Sequence, residues 1–383
     1  MRDDIFSSKC PATSKLQTVA PLQHKTFSSI RDIPRGQWDS VWPRLAEGWD
    51  FYLCQEEAGI EGFDFLYLAL YSGDTLALVA PLFAARFNMG LAMDDAWRER
   101  LAKVQHHWPG LLVFKTLFCG SPTSEKGAVG IHPDFLGHAA LLRALDLALI
   151  DTARAQNAWM IVFKDFMDAE LGALSALSSL GYFTGDSLPT ACLDIAFTSL
   201  DGYLDSLSSG TRKGLRRKLR QTEKSGVLQV EAVADIGHCI DDAYRLYTNV
   251  LNAGPMRFEV LTPAFFLNFT RYAAAQTVYF LYWMRDDSAA GRRLVGLNFC
   301  LQFEDRLIDK YIGMDYAVSR DLNLYFVSFV NNVQWCIDHG KTSYMLSQGG
   351  YPVKRQLGAR LIPLRTMTKI VNPVFNWIAN RFS

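Results

Sequence analysis

The sequence lacks the motifs that mark several common enzyme classes. It contains no G-x-S-x-G nucleophile motif, no P-loop and no Cys/His spacing that would suit zinc. The seven cysteines are an odd number, widely scattered and without a C-x-x-C pair, which is typical of reduced, mostly buried thiols. We therefore expect no metal cofactor, and the sequence offers no nucleophile triad.

Net charge and long apolar runs are also missing. Lys and Arg number 39, as do Asp and Glu, so no global field attracts the chain to DNA or to a membrane, and any such contact requires a local patch. The richest apolar run, residues 66–85, is interrupted by Gly73 and Asp74 and predicts a hairpin, not a membrane span. The N-terminus has no apolar core of a signal peptide, so we expect a cytoplasmic location. We also expect residues 1–25 to form a flexible tail.

The chain does contain enough apolar residues for two domains. Its 383 residues are 49% hydrophobic, which predicts two well-packed cores. One order of elements occurs twice: hairpin, strand, loop, helix, strand, helix, strand. In the first half the predicted strands are 65–71, 76–87, 111–118, 159–166 and 191–197, and the helices are 135–155 and 169–180. In the second half the strands are 279–285, 293–303, 306–314, 344–350 and 361–371, and the helices are 323–339 and 353–359.

This repeated order predicts an α/β (α+β) fold of two tandem domains, 26–198 and 199–383. Each domain would be a mixed twisted sheet flanked by helices, because each copy contains a strand–helix–strand crossover. The region from about 200 to 275 is predicted to be helical and to form the junction between the domains.

A basic stretch opens the second domain. From Arg212 to Lys224, seven of thirteen residues are Lys or Arg. As a helix, the stretch would dock through Leu215 and Leu219. Its cationic side would carry a line of Arg212, Arg216 and Arg220, with Lys213 and Arg217 beside it. A charge run alone is most simply a solvated surface. Its position at the start of the second repeat, however, would place these cations at the cleft between the repeats, where we expect Arg212, Arg216 and Arg220 to bind a phosphate-bearing ligand.

Three passages carry a resemblance to a known family. They are residues 212–231 (RKGLRRKLRQTEKSGVLQVE), residues 310–315 (KYIGMD) with the following helix that ends in IDHG, and residues 347–364 (SQGGYPVKRQLGARLIPL). Together with the element order, they are similar to the GNAT acyltransferase superfamily in its doubled form, as in the Fem family of peptidoglycan aminoacyltransferases and the related BioF2-like acetyltransferase domains. The resemblance implies two GNAT-like domains.

The resemblance also implies a reaction. An N-acyltransferase of this type moves an acyl group to an amine by direct transfer in a ternary complex, which agrees with the absence of a nucleophile triad. The implied donor is acyl-CoA, with aminoacyl-tRNA as the alternative, and the acceptor is an amine of a small metabolite or an envelope precursor. Single-domain GNAT enzymes bind the CoA pyrophosphate through a glycine-containing loop, whereas residues 315–323 (DYAVSRDLN) contain no glycine. A non-catalytic protein that binds RNA or another anion remains a third hypothesis.

The strand 306–314 is the implied donor-binding strand. Strict alternation would place Leu307, Asp309, Tyr311, Gly313 and Asp315 on one face. By resemblance, the donor would lie along Tyr311, Ile312, Gly313 and Met314. Asp315, at the carboxyl end of the strand, is a candidate general base or orienting group for the attacking amine, and the alternative role is to cap the next turn.

Four further residues complete the predicted site. Arg320 and Asn323 precede a helix whose N-terminus suits a phosphate, although Asn323 is equally suited to be a plain cap. By resemblance, Lys354 faces the reactants and would steady an oxyanion, and Tyr351 would protonate the leaving group. The alternatives are a solvated lysine and a packed tyrosine.

A long loop, Gly120 to Asp134, occupies in the first half the position of the glycine-free loop in the second. Its side chains Ser121, Glu125 and His132 are candidates to contact the acceptor, and an ordinary surface loop is the alternative. His106 and His107 have no metal-ligand partner at a useful spacing and are interpreted as structural.

Overall fold

A computed structural model describes most of the chain. The described residues are 21–42, 47–92, 100–101, 103–108, 110–254, 258–286 and 291–382. Most of the predicted tail 1–25, including Cys10, lies outside them, and the first strand begins at Leu22.

Strands of both halves join in one mixed sheet. They are β1 (Leu22–Phe27), β2 (Phe63–Ser72), β3 (Thr75–Asn88), β4 (Val113–Cys119), β5 (Gly130–Ile131), β6 (Met160–Phe166), β7 (Phe183–Asp194), β8 (Leu228–Val233), β9 (Thr277–Arg285), β10 (Arg292–Gln302), β11 (Arg306–Met314), β12 (Ser343–Met345) and β13 (Arg360–Ile370). Their order across the sheet is β1-β2-β3-β4-β6-β13-β7-β12-β11-β10-β9-β8, and β5 pairs with β3. The pairs β4–β6 and β11–β12 are parallel.

Helices cover parts of this sheet. They are α1 (Arg35–Val41), α2 (Trp49–Glu56), α3 (Ala139–Ala155), α4 (Asp168–Ala173), α5 (Leu200–Ser206), α6 (Ser209–Ser225), α7 (Ile240–Ala253), α8 (Pro263–Tyr272), α9 (Leu324–Asp338), α10 (Tyr351–Gln356) and α11 (Pro373–Phe382). None of the helices among the described residues is long and apolar enough to cross a membrane.

The repeated order of elements is confirmed. Both hairpins form, β2 with β3 and β9 with β10. In the first hairpin Gly73 has φ +60°, a conformation that a side chain would disfavour. The predicted helices appear as α3, α4 with the 3₁₀ turn after it, α9 and α10. The α/β fold with helices flanking a mixed sheet is therefore correct, and the boundary at 198/199 stays a prediction.

The sequence did not reveal β1, α1, α2 or α11. It also placed the start of β7 at 191, whereas the strand begins at Phe183. The first seven residues of β7 include Gly185, Asp186 and Pro189 and are exposed or half-buried, so they show no apolar alternation. It is ordered by pairing with β13, a strand that lies far away in sequence.

The two halves exchange their last strands. β13, from the second half, lies between β6 and β7 of the first half, and β7 pairs in turn with β12 of the second. One hydrophobic cluster also spans the halves, because Trp38 and Tyr52 pack in the same core as Phe265 and Phe299. The six described cysteines are buried thiols.

We predict that Met367 stabilises the whole chain. Met367 of β13 is 2% exposed and belongs to the same hydrophobic cluster as Leu145 of α3, a helix of the other half. Met367→Ala should lower the free energy of unfolding by about 2–5 kcal/mol, because it opens a cavity in a core that cannot collapse fully.

Urea unfolding followed by circular dichroism and tryptophan fluorescence tests this. Thr366→Ala, at the adjacent residue on the cleft side of the strand, is the control and should cost less than about 1 kcal/mol. Both probes should report one transition. Two transitions, of which only one shifts, would contradict the coupling of the halves through β13.

Candidate active site

A cleft of about 920 Å³ lies where the two halves meet. Its walls come from the carboxyl ends of the parallel pairs, at Lys164 on β6 and Lys310 and Tyr311 on β11, and from the segments that follow β4 and β12. Ligands of open α/β sheets bind at this edge, where the strand order changes direction. The position alone makes the cleft the candidate site.

The floor of the cleft is apolar at one end. Phe118, Met160 and Val162 belong to a buried cluster, and the ring of Phe258 covers them, 6.2 Å from Phe118 in an edge-to-face contact. Towards β13 and β7 the floor becomes polar, with Thr366, Thr368, Ser187 and Asp186. The cleft therefore suits a ligand that has an apolar part and a polar part.

A buried ion pair holds the two halves together beside this floor. The ammonium of Lys310 lies 2.6 Å from Glu47 Oε1 and also donates to the Thr123 carbonyl at 2.5 Å. Both side chains of the pair are less than a tenth exposed. Glu47 accepts as well from the Glu125 N–H, at 3.1 Å. Burial raises the pKa of Glu47, and the attraction of Lys310 opposes that shift.

Glu125 makes a second link between the halves. Its carboxylate accepts hydrogen bonds from Thr190 at 2.9 Å and from Ser347 at 2.5 Å. Ser347 also donates to the Asp309 carbonyl, at 2.5 Å. Burial raises the pKa of Asp309 to about 6, although hydrogen bonds from Tyr344 and Asn298 favour its charged form.

Two residues in the left-handed region flank the cleft. Asp165, near the end of β6, has φ +61°, and Ser347, just after β12, has φ +57°. These two strands, β6 and β12, hold corresponding places in the two halves. Asp165 is 3% exposed and accepts from Ser187 and from Lys164. Non-glycine residues in this conformation store strain that concentrates at functional sites.

A carboxylate and a phenol meet at the wall of the cleft. Tyr311 donates to Glu259 Oε1 at 2.9 Å. Burial raises the pKa of Glu259, while the hydrogen bond from Tyr311 and the charges of Lys164 and Lys310 lower it. Burial likewise raises the pKa of Tyr311 well above its usual value. Glu259 is therefore a carboxylate that takes up a proton more readily than a solvated one, as a general base requires.

A β-bulge corrects the predicted faces of β11. Pairing with β10 joins Phe299 to Tyr311 and Cys300 to Asp309, so no residue of β10 lies opposite Lys310. The extra residue reverses the alternation, so Tyr311 packs on the opposite side of the sheet from Leu307. The prediction that Leu307, Asp309, Tyr311 and Gly313 share one face is wrong for this reason.

The other residues of the predicted donor strand have packing contacts. Ile312 and Met314 belong to the core under α9. A Cβ on Gly313 would come within 2.8 Å of the Tyr247 backbone in α7, so the glycine allows helix and strand to approach closely. Of the four residues Tyr311 to Met314, only Tyr311 is among those that line the cleft.

Asp315 lies outside the cleft. It pairs with Arg293 at 2.5 Å and accepts from the Ala317 N–H at 3.0 Å. Burial alone would raise its pKa, but these two bonds lower it below the usual value. The geometry corresponds to the alternative interpretation, in which Asp315 caps the turn after β11.

Arg320 and Asn323 lie at the N-terminus of α9. Arg320 is exposed. Asn323 occupies the N-cap position with φ +49°, and its side chain does not cap the helix. Neither residue lines the cleft.

Lys354 and Tyr351 of α10 bond to backbone carbonyls. The Lys354 ammonium donates to three of them: Leu346 at 2.5 Å, Ser347 at 3.1 Å and Gln348 at 3.2 Å. Burial lowers the pKa of Lys354, and the charges of Asp309 and Glu125 oppose this. Tyr351 donates to the Pro189 carbonyl at 2.8 Å. Lys354 thus fixes the segment that carries Ser347 into the cleft.

The basic stretch forms α6, and its docking through Leu215 and Leu219 is confirmed. Arg212 and Arg216 are paired with acidic residues of α5: Arg212 with Asp205 at 3.6 Å, and Arg216 with Asp201 at 3.1 Å. None of Arg212, Arg216 and Arg220 lines the cleft. The exposed cations instead form a stripe at helical spacing, which we call the α6 stripe: Lys213, Arg217, Arg220 and Lys224.

The long loop after β4 enters the site through Glu125. Ser121 is 1% exposed and donates to Gln55 at 2.7 Å, so it packs inside the first half. His132 caps a 3₁₀ turn through the Asp134 N–H. Pro122, Thr123 and Ser124 line the cleft with Glu125.

Sequence reasoning missed Lys164, Asp165 and Glu259. The first two belong to a stretch correctly predicted as a strand, and nothing in the strand pattern marks its last residues as functional. Glu259 follows α7 in a segment without a motif. The one available signal was position, since Lys164 and Asp165 end a strand at the edge where ligands bind.

Comparison with known proteins agrees with the family resemblance seen in the sequence. Residues 29–382 match the FemAB-like family, described as peptidoglycan biosynthesis/recognition. Among solved structures, FemX is similar over 93% of this chain and 100% of its own, with 12% identity and a TM-score of 0.59. A tandem GNAT protein from the clavulanic acid biosynthesis pathway is similar over 92% of this chain and 99% of its own, with 12% identity and a TM-score of 0.52. No curated protein matches the sequence.

We predict that Lys310→Met destabilises the chain by about 3–5 kcal/mol at pH 7, because it leaves the buried Glu47 carboxylate without its partner. Without Lys310 the folded-state pKa of Glu47 rises further above its ordinary value of 4.5. The folded form then binds a proton more tightly than the unfolded chain does. Lys310→Met therefore lowers the free energy of unfolding by the full amount above that raised pKa. The reduction becomes smaller as the pH falls towards 4.5, the ordinary pKa of glutamate.

Urea unfolding between pH 4.5 and pH 8 checks this. Lys115→Met is the matched control, since Lys115 pairs with Asp64 at 3.1 Å on the surface, and it should cost no more than about 1 kcal/mol. Adding Glu47→Gln to Lys310→Met should recover most of the loss. A loss that does not vary with pH would contradict the role of the Glu47 charge.

Proposed function

Because the chain belongs to the FemAB-like family and has the tandem GNAT fold, we propose that it transfers an aminoacyl or acyl group to an amine held in the central cleft. The family and the fold identify a transferase, as the sequence predicted. The observation that carries the proposal is the cleft itself, in which Glu259 and Tyr311 face the space between the halves. The proposed acceptor is an amine of a cell-envelope precursor, and the proposed location of the reaction is the cytoplasm.

We favour an aminoacyl ester of tRNA over acyl-CoA as the donor. Pantetheine would have to enter the gap where β11 and β12 separate, since these strands pair only over Arg306–Ile308. Beyond Ile308 the chain after β12 stays with β7, through the bond from Leu346 N–H to the Ala191 carbonyl at 2.8 Å. The gap that opens contains the Glu125–Ser347 and Lys310–Thr123 bonds. A pantetheine arm would have to displace them.

Two further features agree with this donor. The turn from Asp315 to Asn323 contains no glycine, so it lacks the loop that single-domain GNAT enzymes use for the CoA pyrophosphate. The α6 stripe presents a row of exposed cations along a helix, which suits the backbone of a nucleic acid better than a single phosphate group.

In the proposed reaction the acceptor nitrogen attacks the ester carbonyl carbon, and the C–O bond to the ribose breaks. Glu259 takes the proton that the attacking amine releases. Tyr311, which donates to Glu259, can relay a proton to the leaving ribose oxygen, so that charge balances without a covalent enzyme intermediate. Lys164 lies in the cleft beside Asp165 and supplies a positive charge near the developing oxyanion.

Glu259→Gln should lower the rate of transfer about 10²–10⁴-fold, the range for loss of a general base. The rate in the wild type should fall on the acid side at a pH above the ordinary glutamate value of 4.5, because burial raises the pKa of Glu259 and the base must be deprotonated. Tyr311→Phe removes a bond that lowers this pKa, so it should move the acid limb to higher pH.

Transfer of labelled amino acids from a pool of charged tRNA to extracted envelope precursors measures these rates. Asp315→Asn is the matched control, because Asp315 lies in an ion pair outside the cleft. If Asp315→Asn abolishes transfer while Glu259→Gln leaves it unchanged, Asp315 is the base and the assignment to Glu259 fails.

For the donor, we predict saturable binding of charged tRNA and no saturable binding of acetyl-CoA. Replacing Lys213, Arg217 and Arg220 by Gln should weaken tRNA binding at least tenfold and flatten its dependence on salt, because fewer counterions are released. Replacing Arg212, which is paired with Asp205, and Arg216, which is paired with Asp201, is the control and should have little effect.

Filter binding across a salt series separates the hypotheses. Saturable binding of acetyl-CoA alone would overturn the choice of donor and leave the transferase intact. Binding of uncharged RNA without any transfer would instead support the non-catalytic hypothesis.

A further inference from the structure

The C-terminal helix α11 has its polar side towards the protein and its apolar side towards solvent. Asn376 is 8% exposed, accepts from the Ile370 N–H at 2.8 Å and donates to the Gly181 carbonyl at 2.9 Å. Asn380, one turn later, donates to the same carbonyl at 3.0 Å. The helix is therefore docked through amides, the reverse of an ordinary surface helix.

The outer side of α11 carries large apolar side chains. Val374 is 65% exposed, Phe375 53%, Trp377 63% and Ile378 42%. Single exposed apolar residues need no explanation, but four within five residues of one helix form a patch. Such a patch is typical of an interaction surface.

The patch continues onto α3 across a groove of about 470 Å³. Ile150 and Arg154 of α3 line one side of the groove, and Trp377 of α11 lines the other. Leu147 is 64% exposed and lies one helical turn from Ile150, on the same face. The apolar surface is therefore shared by two helices, and we call it the α3–α11 patch.

Cations border the α3–α11 patch. The guanidinium of Arg381 lies 5.5 Å from the Trp377 ring. Arg154 is exposed at the groove, with a weak contact of 3.8 Å to Asp151. Arg143 is exposed one turn before Leu147. Three arginines against one aspartate give the border a positive charge.

We propose that the α3–α11 patch binds the surface of an anionic phospholipid bilayer. Trp and Phe beside Arg are the side chains that settle at the boundary between headgroups and acyl chains, and a helix lying in that plane inserts its apolar side. A second copy of the chain is a poorer occupant. The four α11 side chains expose an area on the order of 400 Å². Even with the exposed Leu147 of α3, the patch stays below the roughly 800 Å² per partner of a stable interface.

Sedimentation with vesicles tests the proposal. The wild type should bind vesicles of phosphatidylglycerol and phosphatidylethanolamine at least tenfold more tightly than vesicles of phosphatidylcholine, with a blue shift of tryptophan fluorescence. Phe375→Ser with Trp377→Ser should weaken binding to the anionic vesicles at least tenfold. Both side chains are exposed, so circular dichroism should show an unchanged fold.

Tyr316→Ser is the matched control, because Tyr316 is a 52% exposed aromatic residue on the turn after β11, and it should leave vesicle binding unchanged. Equal binding to both kinds of vesicle, or binding to neither, overturns the proposal. A dimer that the double substitution dissociates, without vesicle binding, overturns it in favour of a second copy. None of these outcomes bears on the cleft, so this proposal and the proposed function fail independently.

Discussion

The arrangement of the site depends on the buried ion pair between Lys310 and Glu47. Lys310 is the extra residue of a β-bulge in the second half, and Glu47 precedes the second helix of the first half. Removing two charges from water is costly unless each finds a partner and further hydrogen bonds. The Thr123 carbonyl and the Glu125 N–H supply those bonds, so the ion pair fixes the loop after β4 against β11 and thereby sets the width of the cleft.

The rest of the cleft is positioned by constraints of the same kind, in which polar groups of one half satisfy those of the other. Glu125 bridges Thr190 and Ser347, and Lys354 holds the carbonyls of the segment that carries Ser347. These links join groups that are buried or partly buried, so they fix the two walls of the cleft relative to each other. A rigid cleft is what direct transfer between two bound substrates requires, since positioning supplies much of its rate.

Periodicity and turn residues in the sequence were sufficient for the repeated fold, because both hairpins and the helices α3 and α9 have strong local signals. Periodicity and turn residues could not predict the exchange of β7 and β13, because pairing between residues far apart in sequence leaves no local pattern. The same limit explains the site. Tyr311 was identified on the donor strand, but the bulge at Lys310 reversed its face. Glu259 reaches Tyr311 only through the tertiary fold. The exposed line of cations on α6 also differs from the predicted one. The reason is that Arg212 and Arg216 pair with Asp205 and Asp201 of α5.

The position of β13 has a consequence for synthesis on the ribosome. β6 and β7 of the first half have no strand between them until β13 is made, and the end of β7 at Asp194 precedes the end of β13 at Ile370 by 176 residues (370 − 194). At usual elongation rates this delay is on the order of ten to thirty seconds. For most of that time β6 presents one unpaired edge and β7 presents two, and unpaired edges are templates for wrong pairing. The cleft, which Thr366 and Thr368 of β13 help to line, is therefore completed only after β13 has been synthesised.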